Sequence, residues 1–247
     1  MTKAEIQLVR SLQDKRSREE EQLFVAEGEK LISEIGSSSL RIRKIFAIEG
    51  LFDGPHTEVV SRKDMERLSL LKTPSKALAL VEQPHYPLPR PSAERLMLAL
   101  DEVQNPGNLG TIIRLADWFG IEEIICSKNS ADCFNPKVVQ ATMGAILRVR
   151  VHYVDLPDFL RRAAEADTPL YGTFLEGDNL YDAPITKGGI VVMGNEGRGV
   201  SKEVADLISH RLFIPPYPAD SRTSESLNVA MATGIICAEF RRRAAKV

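Results

Sequence analysis

The chain has 247 residues, 43% of them hydrophobic and 27% charged, with a net charge of -2. That length supports one large or two small packed domains, and a near-zero net charge says nothing by itself about partners. The opening residues carry no apolar leader. Runs such as Ala77-Leu78-Ala79-Leu80-Val81 are far too short to span a bilayer, so neither secretion nor membrane anchoring is expected. The three cysteines (Cys126, Cys133, Cys237) form no CxxC pair, and the four histidines (His56, His85, His152, His210) show no metal-ligand spacing. A cytoplasmic, reduced and metal-free protein is expected.

An amphipathic helix is predicted over residues 5–12, followed by a highly charged turn over 14–21. A short strand (23–26), a helix (29–35), a strand of imperfect alternation around Ile42, Ile45 and Ala47, and a strand near Val59 follow. A helix over 64–70 and a strand over 77–81 complete a small α/β domain. Bases cluster in its loops, with Lys15, Arg16 and Arg18 in one, Arg41, Arg43 and Lys44 in a second, and Lys72 and Lys76 in a third. Such clusters can hold phosphates, and they are equally the ordinary solvated face of a soluble domain.

In the stretch Gln83-Pro84-His85-Tyr86-Pro87-Leu88-Pro89-Arg90-Pro91-Ser92 the prolines forbid helix and central strand alike. Residues 84–94 are therefore read as a linker between a domain of residues 1–83 and a second of 95–247.

Beyond the linker, strand and helix alternate. Residues 96–100 form a continuous apolar run, as suits a parallel strand buried on both faces. A helix is predicted to start at Asn108 as N-cap, to carry Leu109, Ile112, Ile113, Ala116 and Phe119, and to stop at Gly120. Residues 124–126 read as a strand, and Asn135-Pro136 opens a helix lasting to about Leu147. Strands near 149–152, 170–173, 190–193 and 211–214 complete a mostly parallel six-stranded sheet with helices on both faces. The last helix opens among Ser224, Glu225, Ser226 and Asn228. Leu227, Ala230, Met231, Gly234, Ile235 and Ala238 lie on its packing face, and Arg241, Arg242 and Arg243 occupy its last turn, where cations suit the helix dipole.

In such sheets a ligand sits beyond the carboxyl ends of the strands. That rule gathers the loops 101–108, 194–201 and the one before Ser224. The glycines at 194, 197 and 199 lack both the GK[ST] ending of a phosphate-binding loop and the spacing of a dinucleotide site, so they mark tight turns or close approach.

The segments Asp101-x-x-x-Asn105-Pro106-Gly107-Asn108-Leu109-Gly110-x-x-x-Arg114, Gly194-Asn195-Glu196-Gly197-x-Gly199, and Ile214-Pro215 through Ser226-Leu227-Asn228-Val229-Ala230 resemble the three motifs of the SpoU or TrmH family. These are RNA 2'-O-ribose methyltransferases of the SPOUT superfamily that use S-adenosyl-L-methionine (AdoMet). The resemblance spans about residues 95–243, and the N-terminal part resembles the family's L30e-like substrate-binding domain. It implies an α/β fold with a trefoil-knotted C-terminal domain, a homodimer, and an RNA substrate, with ribosomal RNA favoured and tRNA the alternative.

Carried onto this sequence, the resemblance assigns functional roles to Asn108, Arg114, Glu196, Ser226 and Asn228, and AdoMet contacts to the backbone around Thr173, Gly194, Ile214 and Leu227. A guanidinium stays protonated in proteins, so Arg114 suits a clamp on the target phosphate and a stabiliser of the developing alkoxide better than a base. Glu196 suits ordering backbone amides or an arginine, and Asn108, Ser226 and Asn228 suit positioning of ribose and loops. Plainer readings stand beside these: Asn108 and Ser226 as helix caps, Arg114 as a surface or interface ion pair, and Trp118 as core or interface. A rival function is a catalytically idle RNA-binding protein on the same fold, and a lesser one is a base-methylating SPOUT enzyme. The loop 216–225 departs from the family pattern in being longer and free of glycine.

Overall fold

The computed structural model describes residues 1–218 and 226–245. These divide into two compact units, Met1–His85 with Asp132–Leu147, and Tyr86–Ala131 with the chain from Arg148 onward. The division at His85/Tyr86 falls inside the proline-rich stretch. Residues 219–225, among them Arg222, Ser224 and Glu225, lie outside the described residues.

In the first unit the chain runs α1 (Lys3–Ser11), α2 (Lys15–Glu21), β1 (Leu23–Glu27), α3 (Glu29–Gly36), β2 (Ile42–Ala47), β3 (Thr57–Val59), α4 (Arg62–Leu68) and β4 (Ala77–Glu82). The sheet order is β1-β4-β2-β3, with β4 antiparallel to both neighbours and β3 parallel to β2. Alternate residues of β1 feed separate cores. Leu23 and Val25 pack with Ile6, Val9, Met65 and Leu68 from α1 and α4, while Phe24 and Ala26 pack with Ile32 and Ile35 from α3. Covering on both faces is why this strand reads as continuously apolar.

Lys15–Glu21 is a helix where a turn over 14–21 is predicted. They have no apolar periodicity, but Lys15–Glu19 and Arg16–Glu20 are ion pairs at i,i+4, the spacing that supports a helix surface. The basic cluster there is also not free for phosphates: Arg18 is only 1% exposed, and its guanidinium binds Asp132 and the carbonyls of Leu12 and Gln13. Arg43 and Lys72, by contrast, are exposed.

The second unit carries β5 (Leu96–Leu100), α5 (Pro106–Trp118) and β6 (Glu123–Ser127). The chain then supplies residues 132–147 to the first unit as α6 (Pro136–Thr142) and a 3-10 turn, Ala145–Leu147, with Phe134 stacked on Phe24 at 4.9 Å. Left-handed Met143 and Gly144 (φ 51 and 90) end α6 before the predicted Leu147. Back in the second unit follow β7 (Arg150–Val154), α7 (Leu156–Glu165), β8 (Leu170–Asn179), β9 (Gly189–Met193), α8 (Lys202–Ala205), β10 (His210–Phe213) and α9 (Val229–Ala244).

The six strands lie in the order β10-β8-β9-β5-β6-β7, and every pairing is parallel. Leu156, Phe159 and Leu160 of α7 pack with Met97, Ala99, Ile190 and Val192 on one face. On the other, Phe240 of α9 meets Tyr171 edge-on at 5.1 Å, and α9 packs on α5 with Gly234 facing Leu115. The C-terminal arginines fix this helix in place: Arg241 donates to the carbonyls of Phe119 and Gly120 at the end of α5, and Arg243 to those of Leu180 and Ala183. The connections leave β5 and β9 in opposite directions along the sheet. These adjacent central strands thus form a switch point, where α/β sheets open a crevice at their carboxyl ends.

Candidate active site

β5 and β9 pair in register from Leu96–Gly189 to Leu100–Met193, so Asp101 and Gly194 leave the sheet side by side. The amide of Asp101 donates to the Met193 carbonyl at 2.9 Å, and its buried carboxylate accepts from the Ser201 amide at 2.7 Å. Both ends of the loop 194–201 are therefore held to the exit of β5. Gly194 is required by close approach: a side chain there would meet Gly199 and Val200 backbone atoms at 2.2 Å. The Asn195 and Gly199 backbones exchange hydrogen bonds of 2.9 Å, and left-handed Gly199 (φ 70) closes the turn.

The cap of α5 is Asn105, not Asn108. The Asn105 carboxamide oxygen accepts from the amides of Gly107 (2.8 Å) and Asn108 (3.2 Å), with Pro106 in the first helical position. The Asn108 side chain is thereby released for longer-range contacts. Its Nδ2 donates to Glu196 Oε1 at 3.0 Å, and its Oδ1 accepts from Asn228 Nδ2 at 3.0 Å. Asn228, in turn, caps α9 through Oδ1, which accepts from Ala230 and Met231 at 3.0 and 3.3 Å. A single relay of side chains, Glu196–Asn108–Asn228, joins three segments far apart in sequence.

Glu196 also accepts from the amides of Asn105 (3.0 Å) and Gln104 (3.3 Å). Desolvation pushes its carboxyl upward, but the hydrogen bonds from Asn108 and from the Glu196, Asn105 and Gln104 amides prevail and hold it below the usual value. The group is an ionised organiser rather than a proton donor. Arg114 projects exposed from α5 and forms no hydrogen bond or ion pair among the described residues. A guanidinium without a partner among the described residues, on the helix that also carries Asn108, is suited to gripping an anion brought from outside.

The residues anticipated as cofactor contacts are apolar or small. Ile214 is partly buried just past β10, Leu227 is 51% exposed, and Thr173 on β8 donates to the Val192 carbonyl at 3.3 Å. Ser226 is exposed two residues before the cap of α9. Among the described residues no group of His, Cys, Asp and Glu is gathered that could hold a metal ion.

A model of the SpoU rRNA Methylase family matches residues 95–238. The chain belongs to this family. A second model, of an MRM3-like substrate binding domain, matches residues 3–79. Among SpoU relatives, the 23S rRNA (guanosine(2553)-2'-O)-methyltransferase RlmP of Bacillus subtilis is 28% identical, with 94% of each chain covered. A TrmH-family structure from Porphyromonas gingivalis superposes with a TM-score of 0.88 at 41% identity, covering 98% of this chain and 99% of that one. An AdoMet-bound rRNA methyltransferase from Sinorhizobium meliloti gives 0.86 at 30% identity, covering 96% and 94%. The all-parallel sheet and small N-terminal unit of this SpoU chain match those structures.

The sequence reading names Asn108, Glu196 and Asn228, which the structure brings into one hydrogen-bonded group. Asn105 stands in the first motif without a role of its own, although Asn-Pro is the same cap signal recognised at Asn135-Pro136. It also gives no role to Glu102, Asn195 or Arg198, whose contacts depend on pairing between strands remote in sequence.

Proposed function

We propose that this chain transfers the methyl group of AdoMet to a ribose 2'-hydroxyl of RNA, with 23S ribosomal RNA as the substrate. The observation that carries this reading is the Glu196–Asn108–Asn228 relay where the loops leave β5 and β9, with Arg114 exposed on the same helix as Asn108 and without a hydrogen bond or ion pair among the described residues. Membership of the SpoU family and the relatives' activity on 23S rRNA support it.

The residues fit AdoMet. A half-exposed Leu227 and a partly buried Ile214 offer apolar surface for the face of an adenosine. When bound, AdoMet supplies an electrophilic methyl on a sulfonium. In-line attack by a hydroxyl is limited mainly by placing two reactants, so the chain's task is positioning. Arg114 holds the phosphate next to the target ribose and stabilises the negative charge that grows on the 2'-oxygen. Asn108, fixed between Glu196 and Asn228, and Ser226 orient the ribose. Glu196, held ionised, keeps the amides of residues 104 and 105 in line rather than taking the proton, which passes to phosphate or water.

In the same reading, residues 1–83 form an L30e-like RNA-binding domain, 84–94 the linker and 95–247 the methyltransferase domain, whose C-terminal segment follows the knotted path that family resemblance implies. The enzyme works as a cytoplasmic homodimer. Trp118 (83% exposed) and Met231 (64%), on the mutually packed helices α5 and α9, supply apolar surface for a second copy.

The test is transfer of labelled methyl from AdoMet to unmodified 23S rRNA and to tRNA, by wild type and Arg114→Ala. Incorporation into 23S rRNA falling at least about 100-fold in Arg114→Ala supports the reading, in line with losing one transition-state donor. Incorporation into tRNA alone moves the substrate, and background signal from both proteins on every RNA refutes the enzyme.

A further inference from the structure

Glu102 is the one non-glycine residue of the loop 101–108 in the left-handed region, with φ 56. That conformation is unfavourable for a side chain that cannot bond back to its own backbone, and it persists only where surrounding contacts enforce it. Those contacts reach out in several directions. The Glu102 amide donates to Ser127 Oγ at 2.9 Å, and its carbonyl accepts from Asn195 Nδ2 at 2.8 Å. Its carboxylate accepts from Asn129 Nδ2 at 3.0 Å and forms an ion pair with Arg198. The end of β5, the end of β6 and the glycine loop after β9 all meet at this residue.

The pattern is reciprocal. Glu196 reaches from the glycine loop to grip residues 104, 105 and 108, and Glu102 reaches from the 101–108 loop to grip residues 195 and 198. Asn195, whose oxygen accepts from the Gly197 and Arg198 amides, carries the hold of Glu102 into the turn that contains Glu196. Each loop thus presents one carboxylate to the other, and neither can shift without breaking contacts of both.

We propose that Glu102 is a positioning residue for methyl transfer, holding the loop 194–199, and with it Glu196, in register with the loop that bears Asn105 and Asn108. The proposal rests on the methyltransferase reading of this site. In this role Glu102 acts through Asn195, Arg198 and Glu196.

The experiment compares wild type, Glu102→Gln and Glu102→Gly. Methyl transfer to 23S rRNA transcripts, amide hydrogen exchange of residues 194–199 and thermal unfolding are measured on each. Glu102→Gln removes the charge opposite Arg198, whereas Glu102→Gly removes the carboxylate while relieving the left-handed backbone. Both variants are expected to lose about 10- to 100-fold in kcat, as a small misplacement of reacting groups does, with KM for AdoMet within about twofold of wild type. Exchange in 194–199 is expected to rise in both, while the Glu102→Gly melting midpoint stays at or above that of wild type. Wild-type kcat and wild-type exchange in both variants would overturn the proposal, as would a kcat loss that simply follows a fall in melting temperature. A wild type that methylates no RNA refutes the function instead, and exchange in 194–199 then decides whether Glu102 holds the loop.

Discussion

At the scale of single residues, the site depends on which asparagine performs which task. Because Asn105 caps α5, Asn108 can spend its carboxamide on Glu196 and Asn228. Asn108→Ala leaves the cap intact and cuts the relay in the middle. We expect its kcat to fall by about 100-fold. Glu196 also loses one of the hydrogen bonds that lower its pKa. A group whose folded pKa lies below its unfolded value adds stability above the unfolded value and loses it as pH falls through the folded one. The Glu196 crosslink is therefore complete at neutral pH and fails in acid, and in Asn108→Ala it fails at a higher pH. A carboxyl NMR titration of Glu196 checks this: an unchanged midpoint in the variant would remove Asn108 from the account.

At the scale of elements, α9 must keep Asn228 at its N-terminus opposite Asn108, and its far end secures it. Glu239, buried on α9, binds both Arg242 and Arg243, while Arg243 continues to the carbonyls of Leu180 and Ala183. The hydrogen bond from Arg242, opposed by desolvation and joined by that from Arg243, lowers the Glu239 carboxyl to about 2. Its contribution is therefore present above about pH 4.5 and is lost between there and about 2. Glu239→Gln should destabilise the protein by about 2 kcal/mol at pH 7, the scale of a hydrogen bond to a charged group. The difference from wild type should close as pH falls through that window in denaturant melts, and a constant gap across it would contradict the assignment.

Elements were legible where local chemistry decides them. The apolar runs of β5 and β9, the Asn135-Pro136 start of α6 and the glycine stop of α5 follow from residues within a few positions. Helix α2 was hidden because its support is ionic at i,i+4 spacing rather than apolar, and β8 runs on to Asn179 because pairing with β10 continues past a register shift at Arg211/Leu212. Within the site, motif spacing pointed to Asn108, Glu196 and Asn228. It could not disclose their mutual bonds, because these join residues 88 and 120 apart in sequence.

At the scale of the whole molecule, the segment 132–147 lies in sequence between strands of the second unit yet completes the core of the first. Val139 and Phe134 pack with Phe24 and Ile32, and Asp132 meets the buried Arg18 guanidinium. Removing one partner of a buried pair leaves an uncompensated charge, which costs about 3–5 kcal/mol. Asp132→Ala should therefore melt the first unit ahead of the second, giving an earlier transition in thermal unfolding. A single transition at the wild-type midpoint would show the pair to be dispensable.

The central claim is that the Glu196–Asn108–Asn228 relay, together with Arg114 on the helix of Asn108, directs methyl transfer to a ribose oxygen of 23S rRNA. Its most direct test is to methylate unmodified 23S rRNA with the wild-type protein and labelled AdoMet, hydrolyse the product in alkali and locate the label. A methylated 2'-oxygen cannot attack the neighbouring phosphate, so the predicted result is label confined to one alkali-resistant dinucleotide, absent with Arg114→Ala. Label recovered in alkali-released mononucleotides would mean base methylation and would contradict the account.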